Sequence, residues 1–157
     1  MRNSFALSLH RQMETNKDIW CLLGGVGYYV LDAVCKDFPN RVIDFEASES
    51  SMVGAAVGLA MLRKIPFCYS ITPHLYYAFS LIRNYINHER IPVKIVGVGR
   101  DKDYGSLGFS HWAEEDQAVF SLFPNVIQLR PEKKEEIPDM VERMVKKNVP
   151  FYLNLRR

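Results

Sequence analysis

The feature that most constrains this chain is a rhythm: apolar runs of strand length recur along it, separated by stretches with helical periodicity. The runs are IWCLLG at 19–24, RVIDF from 41, PFCYSI at 66–71, VKIVGVG at 93–99, VIQLR at 126–130 and PFYLNLR at 150–156. Around and between them, the spacing of apolar residues predicts helices over 3–14, 27–37, 49–63, 74–88, 113–122 and 133–147, with Pro39-Asn40 ending the second. Short apolar strands alternating with helices are the pattern of βαβ units, whose crossovers cover both faces of a parallel sheet. The expected fold class is therefore α/β, an open, mainly parallel sheet flanked by helices on both faces. Ligands of such sheets bind outside the carboxyl ends of the strands. The loops at 24–27, 44–51, 70–76 and 99–112 should then share one rim.

A chain of 157 residues fits one domain, 1–157, large enough to bury about 68–70% of the surface its unfolded form exposes. Twenty Lys and Arg against 18 Asp and Glu leave a charge of +2, which gives no reason to invoke nucleic acid, a membrane surface or an acidic partner. Cys21, Cys35 and Cys68 are odd in number, lie in apolar runs and lack CxxC spacing, so they read as reduced core thiols. The opening MRNSFALSLHRQM has neither a signal peptide's apolar centre nor a membrane span. Together these features predict a soluble, cytoplasmic protein.

Several motifs allow two readings. LLGGVGYYV, with Gly24, Gly25 and Gly27, resembles the start of a dinucleotide fingerprint, but Tyr29-Val30 stand where the third glycine belongs. The alternative is a tight strand-to-helix turn that uses glycine's access to positive φ. HWAEED sets His111 one turn before Glu114 and Glu115, a possible metal arrangement. Against it, Glu114, Glu115 and Asp116 suit the first turn of a helix by complementing its dipole. That alternative leaves unexplained why His111 ends a glycine-rich loop, GRDKDYGSLGFSH, at a strand's carboxyl end. Tyr76, Tyr77 and Phe79 offer either a stacking platform or core. The charged PEKKEEIPDMVERMVKK reads as a solvated helix face.

DFEASESSM carries three carboxylates, Asp44, Glu46 and Glu49, between a strand and the small-residue run VGAAVGLAML. Ser48 suits an N-cap, and Glu49 suits the first turn. Gly54, Ala55, Ala56, Gly58 and Ala60 let another backbone approach closely, which predicts that Glu49, at the start of so tightly packed a helix, is partly buried. Burial makes a carboxyl useful as a hydrogen-bond donor or proton-transfer group near neutral pH. Asp44 and Glu46 are expected to finish the strand and line the loop.

In order, these segments resemble the central, pyrimidine-binding domain of transketolase and related thiamine-diphosphate enzymes. LLGGVGYYVLDAVCKDFPNRVID, SESSMVGAAVGLAMLRKIPFCYSI and IPVKIVGVGRDKDYGSLGFSHWAEEDQAVFSLFPNVIQLRP follow the family's GDLGY with FPDRF, its GIAEQNM-x-G-x-AAGLA, and its G-x-THxxxED with a later PN. The resemblance implies that Glu49 hydrogen-bonds the pyrimidine of thiamine diphosphate and relays a proton that activates the cofactor. It implies that His74 stacks on the pyrimidine with Ile71 and Tyr77 flanking it, and that His111 serves the substrate side of catalysis. The chain departs from the family at Glu46-Ala47-Ser48 for Gly-Ile-Ala, Ser50-Ser51 for Gln-Asn, Gly25 for Asp, His74 for Phe, and Leu107 for an Asp found in many transketolases.

The family binds the diphosphate through Mg²⁺ on a separate domain bearing GDG and a later Asn, and this chain has no such pair. It also stops after its last strand, without the family's third domain. The resemblance thus implies one part of a split enzyme, a dimer or heterotetramer completed by a separately encoded diphosphate-binding subunit that holds most of the Mg²⁺. The implied activity is transfer of a two-carbon ketol unit between small sugar-like substrates. A subunit of a 2-oxo acid decarboxylase or dehydrogenase, or a non-catalytic module that keeps the fold, are the alternatives.

Overall fold

The computed structural model describes residues 1–157. All six expected strands form: β1 (Ile19–Leu23), β2 (Val42–Asp44), β3 (Ile65–Ile71), β4 (Lys94–Val98), β5 (Ile127–Leu129) and β6 (Phe151–Leu155). They make one sheet in the order β2-β1-β3-β4-β6-β5, and every neighbouring pair is parallel. The central strands β3, β4 and β6 are buried along almost their whole length, as expected of a parallel sheet covered on both faces.

Two apolar cores lie on the two faces. On one, Phe5, Leu9 and Met13 of α1 (Arg2–Thr15) and Ile137, Val141 and Met144 of α6 (Ile137–Lys146) meet Phe67, Tyr69, Val96 and Leu153 of the sheet. On the other, Met52, Val53, Ala56 and Val57 of α3 (Glu49–Met61) pack with Cys68, Ile95 and Tyr152 and with Leu75, Ile82 and Ile86 of the segment after β3. Cys21 and Cys68 are fully buried, and burial pushes both thiols well up in pKa. Cys35 is only half-buried, so the reading of all three as core thiols is corrected there; all three are free. No helix is long and apolar enough to cross a membrane.

Three helices differ from expectation. α2 spans only Asp32–Asp37 because Gly27 and Tyr29 take positive φ (112° and 63°), and Asp32 Oδ1 accepts the Tyr29 amide at 2.9 Å. The helix expected over 74–88 is a rod of three pitches: 3-10 over Thr72–Ala78, one α turn α4 at Phe79–Leu81, and π over Ile82–His88. Within the wide turns Asn87 is buried, and its side-chain and backbone oxygens accept hydrogen bonds of 3.0 and 3.1 Å from the amide and side chain of Asn125 ahead of β5. α5 begins only at Asp116 and runs to Ser121, because Ala113 is held in an extended bridge with Asp101.

Candidate functional site

The sheet order places the topological switch point between β1 and β3: the chain leaves β1 for β2 on one side and returns to β3 on the other. A crevice at the carboxyl ends is the geometric result. It is a cavity of about 460 Å³ lined by Gly24, Gly25, Val26, Tyr28, Glu46, Ala47, Glu49, Ile71, His74 and His111.

Each wall has a local cause. After β1, Gly25 takes φ +63°, and its amide donates to Asp44 Oδ1 at 3.0 Å; the same oxygen accepts the Glu46 amide at 2.9 Å. Asp44 thus ends β2 as expected and also stitches the β1 loop to the β2 loop. Gly24 is needed for space: a Cβ there would stand 2.8 Å from Ser70 Oγ and 3.1 Å from Glu49 Oε1. The three glycines make a turn with close approaches, which favours the turn reading over the dinucleotide one.

Glu49 opens α3 and is 3% exposed. Its Oε1 accepts the Ser70 hydroxyl at 2.8 Å and lies 3.6 Å from His74 Nδ1, while no donor reaches its other oxygen. Ser48 does occupy the N-cap position, but its hydroxyl makes no cap bond; it donates to Ser51 Oγ at 2.8 Å, which corrects the expected capping role. His74 sits in the first 3-10 turn after β3, with Ile71 at the strand end beneath it. Its ring centre is 5.1 Å from that of His111, edge to face, and Tyr104 packs on the far side of His111 at 5.7 Å. Burial, and secondly the charge of His74, lower the pKa of His111, whose Nδ1 shares a 2.9 Å hydrogen bond with Ser110.

Four of the five residues singled out in the sequence, Glu49, Ile71, His74 and His111, therefore meet in one cavity. Tyr77 does not line it. It is 77% exposed and borders a smaller, adjoining depression with Ala47, Ser48, Glu49 and Ser50, its ring 6.5 Å from that of His74. Sequence reasoning missed Ser70, the only donor within reach of the Glu49 carboxylate; a lone hydroxyl at the carboxyl end of an apolar strand was the available signal.

The acids after His111 face elsewhere. Glu114 pairs with Lys102 at 3.5 Å on the surface, and no three His, Cys, Asp or Glu side chains cluster to hold a metal ion. Asp116, expected to complement a helix dipole, is buried beneath the loop; Arg130 grips it at 2.9 and 3.0 Å and Tyr152 donates to it at 3.1 Å. The loop carrying His111 is thereby tied to the sheet, with further pairs from Arg156 to Asp101 and Asp103 at 3.3 and 3.1 Å.

An all-parallel sheet with a ligand-sized cavity at its switch point, walled by a buried carboxylate and two histidines, defines a ligand-binding α/β domain. Its family is equally plain: the transketolase pyrimidine-binding domain matches residues 1–157, and the chain belongs to that family. It is 29% identical over 123 residues to a putative transketolase C-terminal section of Methanocaldococcus jannaschii, an alignment covering 78% of this chain and 39% of that protein. It is 26% identical to one subunit of an apulose-4-phosphate transketolase of Actinobacillus succinogenes, over 76% of this chain and 39% of that one. Among solved structures, a split-gene transketolase described as an inactive beta4 tetramer superposes with a TM-score of 0.87 at 26% identity, over 99% of this chain and 50% of that one. The chain thus spans half or less of the length of these relatives.

Proposed function

We propose that this chain supplies the pyrimidine-binding half of the active site of a heteromeric, transketolase-like enzyme that uses thiamine diphosphate to transfer a two-carbon ketol unit between sugar-like substrates. The observation that carries the proposal is the buried Glu49 carboxylate, which has one oxygen held by Ser70 and the other free of any donor at the edge of the cavity. An aminopyrimidine fits such a site: a flat ring with a basic nitrogen meets an unpartnered carboxylate oxygen, an apolar wall at Ile71 and an aromatic face at His74. Bound thiamine diphosphate supplies a carbon nucleophile and an electron sink for cleaving and forming carbon–carbon bonds.

The roles of this chain's residues follow from their places. Glu49 holds a proton against the ring nitrogen in a site screened from water, where a carboxyl is an effective proton-transfer group. His74 and Ile71 fix the plane of the ring, and Tyr77, outside the cavity with its ring 6.5 Å from that of His74, flanks His74. His111, on the far side of His74, moves a proton on the substrate side.

The diphosphate and its Mg²⁺ belong to a separate partner chain, and the assembly is a dimer or heterotetramer in which the cavity faces that partner. This arrangement accords with the named relatives, among them one subunit of an apulose-4-phosphate transketolase and a split-gene transketolase. The cytoplasm, where such sugar chemistry runs, is the proposed location. The test is Glu49→Ala in the reconstituted pair: turnover should fall by about 10²–10⁴, the range for loss of a positioned proton-transfer group. Unchanged turnover would overturn the assignment.

A further inference from the structure

We propose that a second cavity, at the amino ends of β3 and β4, binds a small phosphate-bearing anion. It measures about 480 Å³, and its lining includes five cationic side chains, Arg63, Lys64, Lys94, Lys146 and Lys147, and no carboxylate. β3 runs the full height of the sheet from Ile65 to Ile71, so this cavity lies about 20 Å from the carboxyl-end site at a strand rise of about 3.3 Å per residue. The inference is independent of the function proposed for that site.

The cations come from three directions. Arg63 and Lys64 follow the end of α3, Lys146 and Lys147 end α6, and Lys94 opens β4 at the floor. Two are already paired, Lys64 with Asp18 at 2.7 Å and Lys146 with Glu142. Arg63 and Lys147 have neither a carboxylate nor a hydrogen-bond acceptor for their side chains.

Cations after a helix can simply complement its carbonyl end. Here, however, backbone amides already bond those carbonyls: Gly58 and Ala60 accept from Leu62 and Arg63, Leu59 from Lys64, and Arg143 from Lys147. Arg63 also sits in the left-handed region, φ 61°, at the post-helix position where glycine is the usual occupant.

Lys94 gives the cavity its chemistry. Only 2% exposed, its amine donates to the carbonyls of Lys147 and Val149 at 2.8 and 2.6 Å, leaving a third N–H unassigned. Burial lowers its pKa to about 7. The charged groups facing it are Arg63 and Lys64 from the α3 end, Lys146 and Lys147 from α6, and Arg143 across the Phe151 ring. All are cations, and no acid neutralises the amine. A bound dianion offers the countercharge that the fold omits, and the concave shape suits a phosphate group better than an extended polyanion.

The test is amide-resolved NMR of the full chain titrated with inorganic phosphate, and separately with glucose 6-phosphate, at constant ionic strength against chloride. Saturable shifts at Lys64, Lys94 and Lys147 are expected, and whichever probe saturates first identifies free phosphate or a phosphate ester. Sulfate, whose charge is constant over this range, should bind more tightly at pH 6 than at pH 8, and Lys94→Met should abolish that difference. The exposed double variant Arg63→Ser/Lys147→Ser should weaken phosphate at least about tenfold, the equivalent of one charge-assisted hydrogen bond. Shifts matching chloride, shifts confined to Gly25 and His111, or an unchanged affinity in the double variant would each overturn the proposal and leave the cations as helix-end complements.

Discussion

Glu49 Oε1 lies 3.6 Å from Nδ1 of His74, so the carboxylate at the start of α3 and the imidazole after β3 are immediate neighbours on the cavity wall. With His111 packed edge-on to His74 at 5.1 Å, the site contains three titratable groups in a row. A phenyl ring at 74 would offer similar stacking without a charge.

His74→Phe should therefore change the titration of its neighbour. The pKa of His111 is lowered first by burial and secondly by the positive charge of His74. Removing that charge takes away the second cause and leaves the first. The His111 midpoint, read from its ring proton shifts, should rise in the variant yet remain below the ordinary imidazole value. A midpoint unchanged or lowered would show that the two rings do not interact electrostatically.

Gly24→Ala should damage the site with little effect elsewhere. The added methyl stands 2.8 Å from Ser70 Oγ and 3.1 Å from Glu49 Oε1, where both neighbours are buried and cannot swing clear. Overpacking of this kind costs about 1–3 kcal/mol, readable as a lower urea midpoint at an unchanged m-value. Thiamine diphosphate affinity of the assembled enzyme should fall with it. A variant as stable as the parent would contradict the close packing at this crossing.

Tyr77→Ala separates a binding role from a structural one. The side chain is 77% exposed, its ring lies 6.5 Å from that of His74, and the backbone carbonyl of Tyr77 accepts the Ser50 hydroxyl at 2.7 Å. Stability should stay within about 0.5 kcal/mol, while calorimetry on the assembled enzyme should find weaker cofactor binding. Equal affinity in the two proteins would remove Tyr77 from the site.

Asp116→Asn should weaken the support of the His111 loop. Breaking a buried ion pair typically costs about 3–5 kcal/mol; since a quarter of the Arg130 side chain is exposed, about 2–3 kcal/mol is expected here. Equilibrium urea unfolding measures the loss, and hydrogen exchange should show faster opening between 101 and 113.

Lys94 predicts a pH signature in stability. Its folded pKa of about 7 lies below the ordinary lysine value of 10.5, so the unfolded chain binds more protons between those limits and stability rises with pH across that window. The difference in unfolding free energy between the wild type and Lys94→Met, measured at pH 7, 8.5 and 10, should shift towards the wild type as pH rises. A constant difference would mean that the amine is not desolvated in the fold.

Much of this was legible in the sequence because a parallel sheet advertises itself: strands buried on both faces must be apolar runs, and Ile65–Ile71 and Lys94–Val98 are such runs. Glu49 was legible as a buried carboxylate but not for the reason the small residues suggested: Gly54 and Ala55 are partly exposed and Gly58 faces open space, while Ser70 and Gly24 enclose the carboxylate. Periodicity did not reveal pitch, since apolar spacing over 74–88 suits a rod whether its turns are 3-10, α or π. Nor does the sign of a charge reveal its partner: Asp116 reads as a dipole complement in the sequence, whereas Arg130, fourteen residues on, holds it in the fold. The 3-10 turn brings residues three apart onto one face, and the rings of His74 and Tyr77 accordingly lie 6.5 Å apart. Tyr77 nonetheless falls outside the cavity, because it stands 77% exposed where His74 is turned towards Glu49.

The cavity draws on the ends of four strands: Gly24 after β1, Glu46 and Glu49 after β2, Ile71 and His74 at and beyond β3, and His111 in the long excursion from β4. The loops after β1 and β2 supply seven of its ten lining residues, and the apolar wall at Ile71 and both histidines come only from β3 and β4. A chain that has paired only β1 with β2 therefore holds Glu49 but no ring to face it, and capture of the ligand amounts to a check that the sheet has been assembled as far as β4.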